Sequence, residues 1–336
     1  MSAGVTRALD VIKRLRVIII AIVLVVLVIG GLTLYAGIWP PLVVVESDSM
    51  QHSSTTSYIG VIDTGDLVIE KTVSGFGDVK TYLDSVGTGY STYSEPGDVV
   101  IYRPYGSDAR TPIIHRALCL VEYNATGGGY DVPSLKNIPS SSWSVDAGPK
   151  TWYNLHNKLL LSGVGYDHVT VRIDFQAMLQ AFAGAGLTPH TGLITLGDHN
   201  QGTIDQNTMA PICKYPIKAE WIQGVARGEV PWFGLLKLWI SGPAPASVPE
   251  NSRTDLFVAI GLIIGVPIII DATGVILERK GIDAGAWLRT KLHLKPKKSG
   301  PGQESEKAKE DPPKPKDSPP QRKSAKPPST STKKKR

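Results

Sequence analysis

Cysteine is scarce in this sequence, and its scarcity removes several classes of protein. The chain has 336 residues and two cysteines, Cys119 and Cys213. Two thiols allow one disulfide at most, which excludes a small fold held together by a network of disulfides. With no pair of CxxC motifs, a zinc site made of four thiolates is excluded as well. The sequence leaves open whether Cys119 and Cys213 pair or stay free.

The sequence also lacks the short motifs that commonly bind nucleotides or zinc. It contains no P-loop, no GxGxxG segment and no HExxH segment. His190, His199 and Asp198 could supply metal-binding atoms, but they have neither the i,i+4 spacing of a helical site nor a cysteine ligand. We therefore predict no cofactor and no metal ion.

Positive charge is concentrated at one end of the chain. Residues 279–336 contain 18 Lys and Arg against 6 Asp and Glu, whereas the whole chain has 36 against 30. The remaining 278 residues therefore carry 18 basic and 24 acidic groups. A folded part with net negative charge does not offer the basic face that nucleic acids need, so we predict no nucleic-acid partner. The segment 278–336 is predicted to be a basic, Pro- and Lys-rich cytoplasmic tail. From about Lys295 it has no apolar periodicity, which predicts disorder.

A long stretch near the N-terminus has no charge at all. No Asp, Glu, Lys or Arg occurs from Val17 to Val45, and about 20 apolar residues are enough to cross a bilayer as a helix. Basic residues precede this stretch, and they mark the cytoplasmic side of a span. We predict a cytoplasmic segment at 1–16 and a membrane anchor at 17–39. A cleaved signal peptide is the alternative, but its apolar region is shorter, and the two prolines that follow hinder cleavage.

A second apolar stretch lies at 255–277. It contains Pro267 and Asp271, but proline is tolerated in membrane helices, and an acidic residue costs less near the end of a span than at its centre. Basic residues follow at once, so both termini are predicted to be cytoplasmic. A buried core helix of a soluble domain is the alternative. We predict a cell-membrane protein with two spans and an extracytoplasmic domain between them.

The segment 40–250 has the pattern of a β-rich domain. Short runs of β-branched and apolar residues, such as LVVV, GDVVIYR, IIHRALCLVEY and GLITLGD, are separated by Gly, Pro, Asn and Asp. One helical stretch is predicted at 177–185, and the segment 231–240 is predicted either to contact the bilayer interface or to form a core strand. The predicted fold class is mainly β, with a transmembrane helix at each end of the domain.

Several polar side chains occupy positions suited to catalysis. Ser49 follows the first anchor, His115 lies in the apolar run TPIIHRAL, and Asp198 and Asp205 flank a Gly/Asn-rich turn after the strand GLITL. Each has an ordinary explanation when taken alone, as a loop residue, a buried core group or a turn cap. A serine hydroxyl needs an adjacent base to act as a nucleophile, and an imidazole, with an ordinary pKa of about 6.5, suits that task. Lys71 is a weaker candidate base because it follows a strand in a polar turn.

Several short segments resemble, in order, those of the type I signal peptidases. The matching segments are residues 47–50 (SDSM), 64–68 (TGDLV), 96–103 with 114–116 (PGDVVIYR and IHR), 197–206 (GDHNQGTIDQ) and 230–234 (VPWFG). The bacterial branch of this family has a lysine where this chain has His115. The resemblance is therefore to the archaeal and endoplasmic-reticulum branch, and it implies an archaeal source.

This resemblance implies a membrane-bound serine endopeptidase that removes N-terminal signal peptides from exported proteins, with a β-rich signal-peptidase-like domain. Ser49 is implied as the nucleophile and His115 as the general base. The Ser49 backbone N–H and the Ser47 hydroxyl are the implied oxyanion donors. Asp205 is implied as the acid that orients His115, with Asp198 in support. The spacing of the two acids departs from the family's usual one, so their division of roles stays open.

The implied partners are signal peptides of secretory preproteins, membrane lipid and the protein translocation channel. The resemblance also implies a substrate groove that accepts small side chains at the first and third positions before the cut. Two other functions remain open: a non-catalytic, membrane-tethered β domain that binds exported proteins, and a processing protease with one dedicated substrate. Normal behaviour of a Ser49→Ala variant would favour the first, and cleavage of several unrelated signal peptides would exclude the second.

Overall fold

The structure, a computed structural model, describes residues 3–241 and 247–280. The chain divides into a compact unit Met1–Ile269 and a second unit Ile270–Arg336. The predicted basic tail, from residue 281 onward, lies outside the described residues.

The described elements alternate short strands with a few helices. The helices are α1 (Ala3–Ala36), α2 (Tyr82–Ser85), α3 (Phe175–Ala185), α4 (Gly234–Ser241) and α5 (Ser252–Arg279), with single 3₁₀ turns at Phe76–Asp78, Pro104–Gly106, Pro133–Lys136, Ser140–Ser142 and Ala219–Trp221. The strands are β1 (Leu42–Val44), β2 (Leu67–Lys71), β3 (Ser91–Thr92), β4 (Glu95–Pro96), β5 (Val99–Tyr102), β6 (Ile113–Asn124), β7 (Gly129–Asp131), β8 (Trp143–Val145), β9 (Lys158–Val164), β10 (Val169–Asp174), β11 (Gly192–Leu196) and β12 (Ile222–Val230).

Seven antiparallel strands form the main sheet. Their order is β1–β2–β12–β5–β6–β11, and β7 pairs with the far end of β6. A smaller sheet has the order β10–β9–β8, and β3 and β4 form a hairpin. Strand β5 consists of two valines, an isoleucine and a tyrosine, all buried, as expected for a central strand that is covered on both faces. The prediction of a mainly β domain is confirmed.

Buried side chains form three clusters on the main sheet. The largest joins β6 to the smaller sheet and to α3. A second surrounds Tyr102 and Cys213, and a third surrounds Met50 and Ala226. Cys119 and Cys213 are both free and buried, so the disulfide alternative is wrong. Burial raises the pKa of both thiols, which makes them poor nucleophiles.

Two helices are long and apolar enough to cross a membrane. They contain the stretches Ile19–Ala36 and Ser252–Leu277, and most of their side chains there are exposed. These stretches overlap the predicted spans 17–39 and 255–277. Helix α1 ends at Ala36, whose carbonyl accepts hydrogen bonds from the backbone N–H and the hydroxyl of Thr72, at 2.8 and 3.1 Å.

The segment 231–240 is a turn followed by α4, so the alternative of a core strand is wrong. Leu235 and Leu238 are buried and lie three residues apart, about one helical turn, whereas buried residues of a strand would lie two apart. Both pack against Leu256, near the start of α5. The start of α5 is therefore joined to the domain by apolar packing.

Candidate active site

Strand β6 carries two adjacent polar residues that point to opposite faces of the main sheet. Successive residues of a strand alternate in direction, so His115 and Arg116 cannot share a partner. The register pairs His115 with Val100, two residues from Tyr102 on β5, and pairs Thr195 on β11 with Ala117. By the same alternation, Tyr102 and Thr195 lie on the His115 face.

Asp205 completes a buried hydrogen-bonded group on that face. The imidazole Nδ1 of His115 lies 2.7 and 2.8 Å from the two carboxylate oxygens of Asp205. The hydroxyls of Tyr102 and Thr195 each donate to Asp205 Oδ2 at 2.6 Å. The Asp205 backbone N–H donates to the Thr195 carbonyl at 2.8 Å, which holds the loop after β11 against that strand. All three side chains lie within hydrogen-bond distance of the carboxylate oxygens, which act as acceptors.

This arrangement fixes the orientation of the His115 ring. Because a carboxylate only accepts, the proton of a neutral imidazole lies on Nδ1 and the lone pair on Nε2. Within residues 3–241 and 247–280, no group forms a hydrogen bond with Nε2. Only 2% of the surface of His115 is exposed, so neighbouring protein atoms contact its ring on nearly all sides. His115 therefore has the geometry of a base with one nitrogen left free to accept a proton.

Ser49 and His115 line the same cleft. The cleft has a volume of about 420 Å³, and its polar lining includes Ser47 and Asn200. Ser49 is half-buried in the turn that follows β1, and its Oγ lies 3.2 Å from Ser47 Oγ. Among the described residues, no hydrogen bond joins Ser49 Oγ to His115. The serine and the histidine therefore line one cleft, and the hydroxyl of Ser49 shares a hydrogen bond with that of Ser47.

The turn at Gly197 brings the backbone of the acidic segment against Ser49. A Cβ at Gly197 would collide with the Ser49 carbonyl oxygen and would lie 2.9 Å from His115 Nε2. The same carbonyl accepts a hydrogen bond from the His199 backbone N–H at 2.9 Å. Only glycine permits this approach. The acidic segment thus positions Ser49 as well as His115.

Hydrogen-bond donors without a partner lie beside Ser49 among the described residues. In the described part of the chain, the Ser49 backbone N–H and the Asn200 side-chain amide donate to no other group. The Ser47 hydroxyl lies on the same side of the cleft. An acyl-transfer site needs such donors near the attacked carbonyl.

Comparisons with protein-family models, with curated proteins and with solved structures were made for the whole chain. None of them found a match. The assignment of function therefore rests on the residues and on the geometry of this cleft.

Asp198 lies on the opposite face of the sheet and binds Arg116. The guanidinium donates to both oxygens of the carboxylate, at 2.8 and 2.7 Å. It also donates to backbone carbonyls in the β3–β4 hairpin, including those of Thr92 and Gly97 at 3.0 and 3.1 Å. Burial by itself raises the pKa of Asp198, but the positive charge of Arg116 outweighs it and holds that pKa below its usual value. The structure thus brings Asp205, and not Asp198, to His115.

A hairpin of the smaller sheet contacts both the segment that follows Ser49 and the acidic segment 197–206. Tyr166, at the β9–β10 turn, stacks on the ring of His52 with 4.1 Å between centroids. Its hydroxyl lies 3.1 Å from His199 Nδ1, and His52 Nε2 lies 3.2 Å from Asp198 Oδ2. His52 follows Ser49 by three residues, and His199 follows Asp198 directly. We call Tyr166, His52 and His199 the aromatic clamp.

The other candidates from the sequence lie elsewhere. Lys71 is exposed at the end of β2, where its amine lies 5.1 Å from the ring centroid of Tyr35. His190 packs among aromatic rings, and its Nδ1 lies 3.0 Å from the Thr191 carbonyl. Burial lowers the pKa of His190. Among the described residues, no three His, Cys, Asp or Glu side chains are grouped to hold a metal ion.

Several residues of the site had no predicted role. Tyr102 and Asn200 lie inside the matching segments 96–103 and 197–206. Thr195 could have been noticed as the one polar residue in the strand GLITL. Nothing in the sequence predicts the contacts of the aromatic clamp, because Tyr166 is more than a hundred residues from His52 and lies in an ordinary polar turn.

Proposed function

We propose that this chain is a membrane-anchored serine endopeptidase that removes N-terminal signal peptides from exported proteins. The proposal includes a signal-peptidase-like fold and a catalytic domain on the extracytoplasmic face of the cell membrane. One observation carries it: the buried His115–Asp205 pair opens onto the same cleft as Ser49. A binding domain has no need for an oriented imidazole with a free nitrogen beside a serine.

The proposed reaction begins with the Ser49 hydroxyl turning from Ser47 toward His115 Nε2. His115 takes the serine proton as Oγ attacks the peptide carbonyl, and the Asp205 carboxylate stabilises the resulting imidazolium. The Ser49 N–H stabilises the oxyanion, together with Ser47 or Asn200; one such donor typically lowers the barrier by about 2.7–4 kcal/mol. His115 then donates its proton to the leaving amine. After the C–N bond has broken, His115 takes a proton from water as the water attacks the acyl-Ser49 carbonyl. His115 then returns that proton to Ser49 Oγ as the ester C–O bond breaks.

The position of Ser49 along the chain supports a substrate in the membrane. Ser49 follows the end of α1, at Ala36, by 13 residues, and β1 leads from one to the other. A cleft so close to a candidate span suits a substrate whose apolar segment lies in the bilayer. The cleft wall includes Val44, Ile114 and Ile212, which favours uncharged side chains on the substrate.

Cleavage of a labelled preprotein by membranes that carry single variants tests this proposal. We expect Ser49→Ala and His115→Ala to lose at least about 10³-fold in rate, since loss of either member removes the shared mechanism. Ser54→Ala is the matched control, because Ser54 is exposed five residues further along the chain and should leave the rate unchanged. Cleavage by Ser49→Ala at the wild-type rate would overturn the assignment of Ser49 as the nucleophile. Absence of cleavage by the wild-type chain itself would favour the membrane-tethered binding domain.

A further inference from the structure

Helix α4 exposes apolar side chains where a helix in water would carry polar ones. Leu235 and Leu238 are buried against the domain. Ile240 is 88% exposed and Trp239 is 39% exposed. Leu236, also partly exposed, lies four residues before Ile240 and therefore on the same side of the helix. The apolar face of α4 is thus wider than the area that the domain covers.

This exposed area continues onto α5. The ring of Trp239 stacks on that of Phe257, with 6.0 Å between centroids. Phe257 is 63% exposed and lies in the second turn of α5, at the start of the candidate span Ser252–Leu277. We call Leu236, Trp239, Ile240 and Phe257 the α4 surface. Contiguous exposed apolar areas of this kind mark contacts with proteins or membranes.

One polar side chain of α4 reaches the rim of the cleft. Lys237 Nζ lies 3.0 Å from the carboxylate of Glu46, which lines the cleft three residues before Ser49. Helix α4 therefore connects the candidate span to the rim of the cleft. A tryptophan beside a membrane helix and a lysine on the adjoining side are typical of the interface between hydrocarbon and headgroups.

We infer that the α4 surface lies in the headgroup region of the bilayer and is a third membrane contact, which sets the height of the cleft above the membrane. The inference rests on the proposed membrane anchoring by α5. Lipid is the occupant that the structure favours, because the surface is continuous with a candidate span. A second copy of the chain and a separate protein subunit are the competing occupants.

Spin labels on single introduced cysteines measure whether the surface meets lipid. Cys119 and Cys213 are buried, so an exposed cysteine can be labelled selectively in the full chain. We would label Ile240→Cys, with Ile264→Cys in α5 and Leu187→Cys after α3 as controls, in phosphatidylcholine vesicles. Ile264 and Leu187 are exposed apolar residues, at 57% and 50%.

We expect the Ile240 label to be several-fold less accessible to a water-soluble nickel complex than the Leu187 label. Equal accessibility at Ile240 and Leu187, with Ile264 shielded, would overturn the inference and leave the anchoring intact. Full accessibility at Ile264 would overturn the anchoring and the inference together. Spin–spin broadening at Ile240 would indicate a second copy on this surface and would also overturn it.

A second measurement addresses the height of the cleft. We expect the double substitution Trp239→Ser with Ile240→Ser to slow cleavage of a membrane-inserted preprotein about tenfold. Cleavage of a short water-soluble peptide should change less than twofold, because the double substitution leaves the cleft residues in place. Leu187→Ser is the matched control and should change neither rate. Equal loss on both substrates would count against the inference, since it would indicate damage to the fold.

Discussion

At the scale of residues, the two aspartates of the acidic segment differ in what the loss of their charge would leave behind. Asp205 accepts from His115, Tyr102 and Thr195, all of which are neutral donors when the imidazole is neutral. Asp198 neutralises Arg116, whose surface is 1% exposed. A buried guanidinium without its partner is strongly unfavourable. Loss of the charge at Asp205 should therefore lower the rate of the proposed reaction. Loss of the charge at Asp198 should instead destabilise the fold.

The substitutions Asp205→Asn and Asp198→Asn separate these roles. We expect Asp205→Asn to lower kcat roughly 10⁴-fold, as in a serine protease whose histidine takes the wrong tautomer, with little change in thermal unfolding. We expect Asp198→Asn to destabilise the fold by about 3–5 kcal/mol, with kcat per folded molecule changed only a few-fold. Thermal unfolding in detergent and single-turnover cleavage measure the two effects. The reverse pattern would identify Asp198 as the orienting acid.

Gly197 is the residue where a single methyl group should disturb catalysis. In Gly197→Ala the new Cβ meets the Ser49 carbonyl and approaches His115 Nε2, so the two groups must move apart. A misplacement of about 1 Å can cost on the order of 100-fold in rate, and we expect a loss of that size in kcat. Gly184→Ala is a suitable control, because a Cβ there meets nothing within 4 Å. Wild-type kcat in Gly197→Ala would show that the close approach is unimportant.

At the scale of elements, the β9–β10 hairpin is expected to position Ser49 from a distance. Tyr166→Ala removes both the stack on His52 and the contact with His199, whereas Tyr166→Phe keeps the stack. A stacked aromatic pair contributes about 0.5–1.5 kcal/mol, which corresponds to at most about tenfold in rate. We expect kcat to fall by up to that factor in the alanine variant and less than threefold in the phenylalanine variant, with KM nearly constant.

Steady-state kinetics in detergent, with Tyr153→Ala as control, would measure this effect. Tyr153 is a half-exposed tyrosine that contacts Trp152 and no residue of the aromatic clamp. If Tyr166→Phe lost as much activity as Tyr166→Ala, stacking would not be the source of the effect. A loss confined to the unfolding temperature would assign the hairpin a purely structural role.

The elements that the sequence predicted are those with β-branched residues and clear boundaries. Strands β5, β6 and β11 were expected from such runs. Strand β9 was not expected, because its sequence, KLLLSGV, owes its apolar character mainly to leucine, which does not distinguish strand from helix. Helix α4 has the same ambiguity. Tertiary packing determines that β9 is a strand and α4 a helix, and these contacts cannot be read from a single sequence.

The sequence predicted some residues of the candidate site but not the contacts between them. Ser49, His115 and Asp205 were named from motifs, and the structure places Asp205 against His115. The ion pair of Asp198 with Arg116 was not expected, because sequence spacing does not reveal which face of β6 each acid approaches. The aromatic clamp joins segments far apart in sequence, and only the packing of the smaller sheet brings them together.

At the scale of the whole molecule, three buried carboxyls and one half-buried carboxyl should give the domain an unusual dependence of stability on pH. Burial raises the pKa of Asp63, Glu70 and Glu229 to about 7 and that of Asp66 to about 6. In the unfolded chain these groups lose their protons near pH 4. Between pH 4 and 7 the folded state therefore binds more protons than the unfolded state, and stability falls as the pH rises.

We therefore expect a higher unfolding temperature at pH 5 than at pH 8, measured by circular dichroism in detergent. Each unit by which a pKa is raised corresponds to about 1.4 kcal/mol. Asp63→Asn should reduce the difference between the two pH values, because the amide does not titrate. Asp108→Asn is the control, since its side chain is 80% exposed, and it should leave the difference unchanged. A protein more stable at pH 8 than at pH 5 would contradict the expectation.

The adjacency of His115 and Arg116 limits which insertions and deletions the chain can accept. A slip of one residue within β6 would exchange the two faces, directing the arginine to Asp205 and the histidine to Asp198. Both aspartates would then face the wrong side chain, and no single substitution could restore the two contacts. The loop between β5 and β6 is not part of the sheet, so a change in its length need not exchange the two faces. Length variation in the gene is therefore expected to accumulate in that loop and to be purged from the strand.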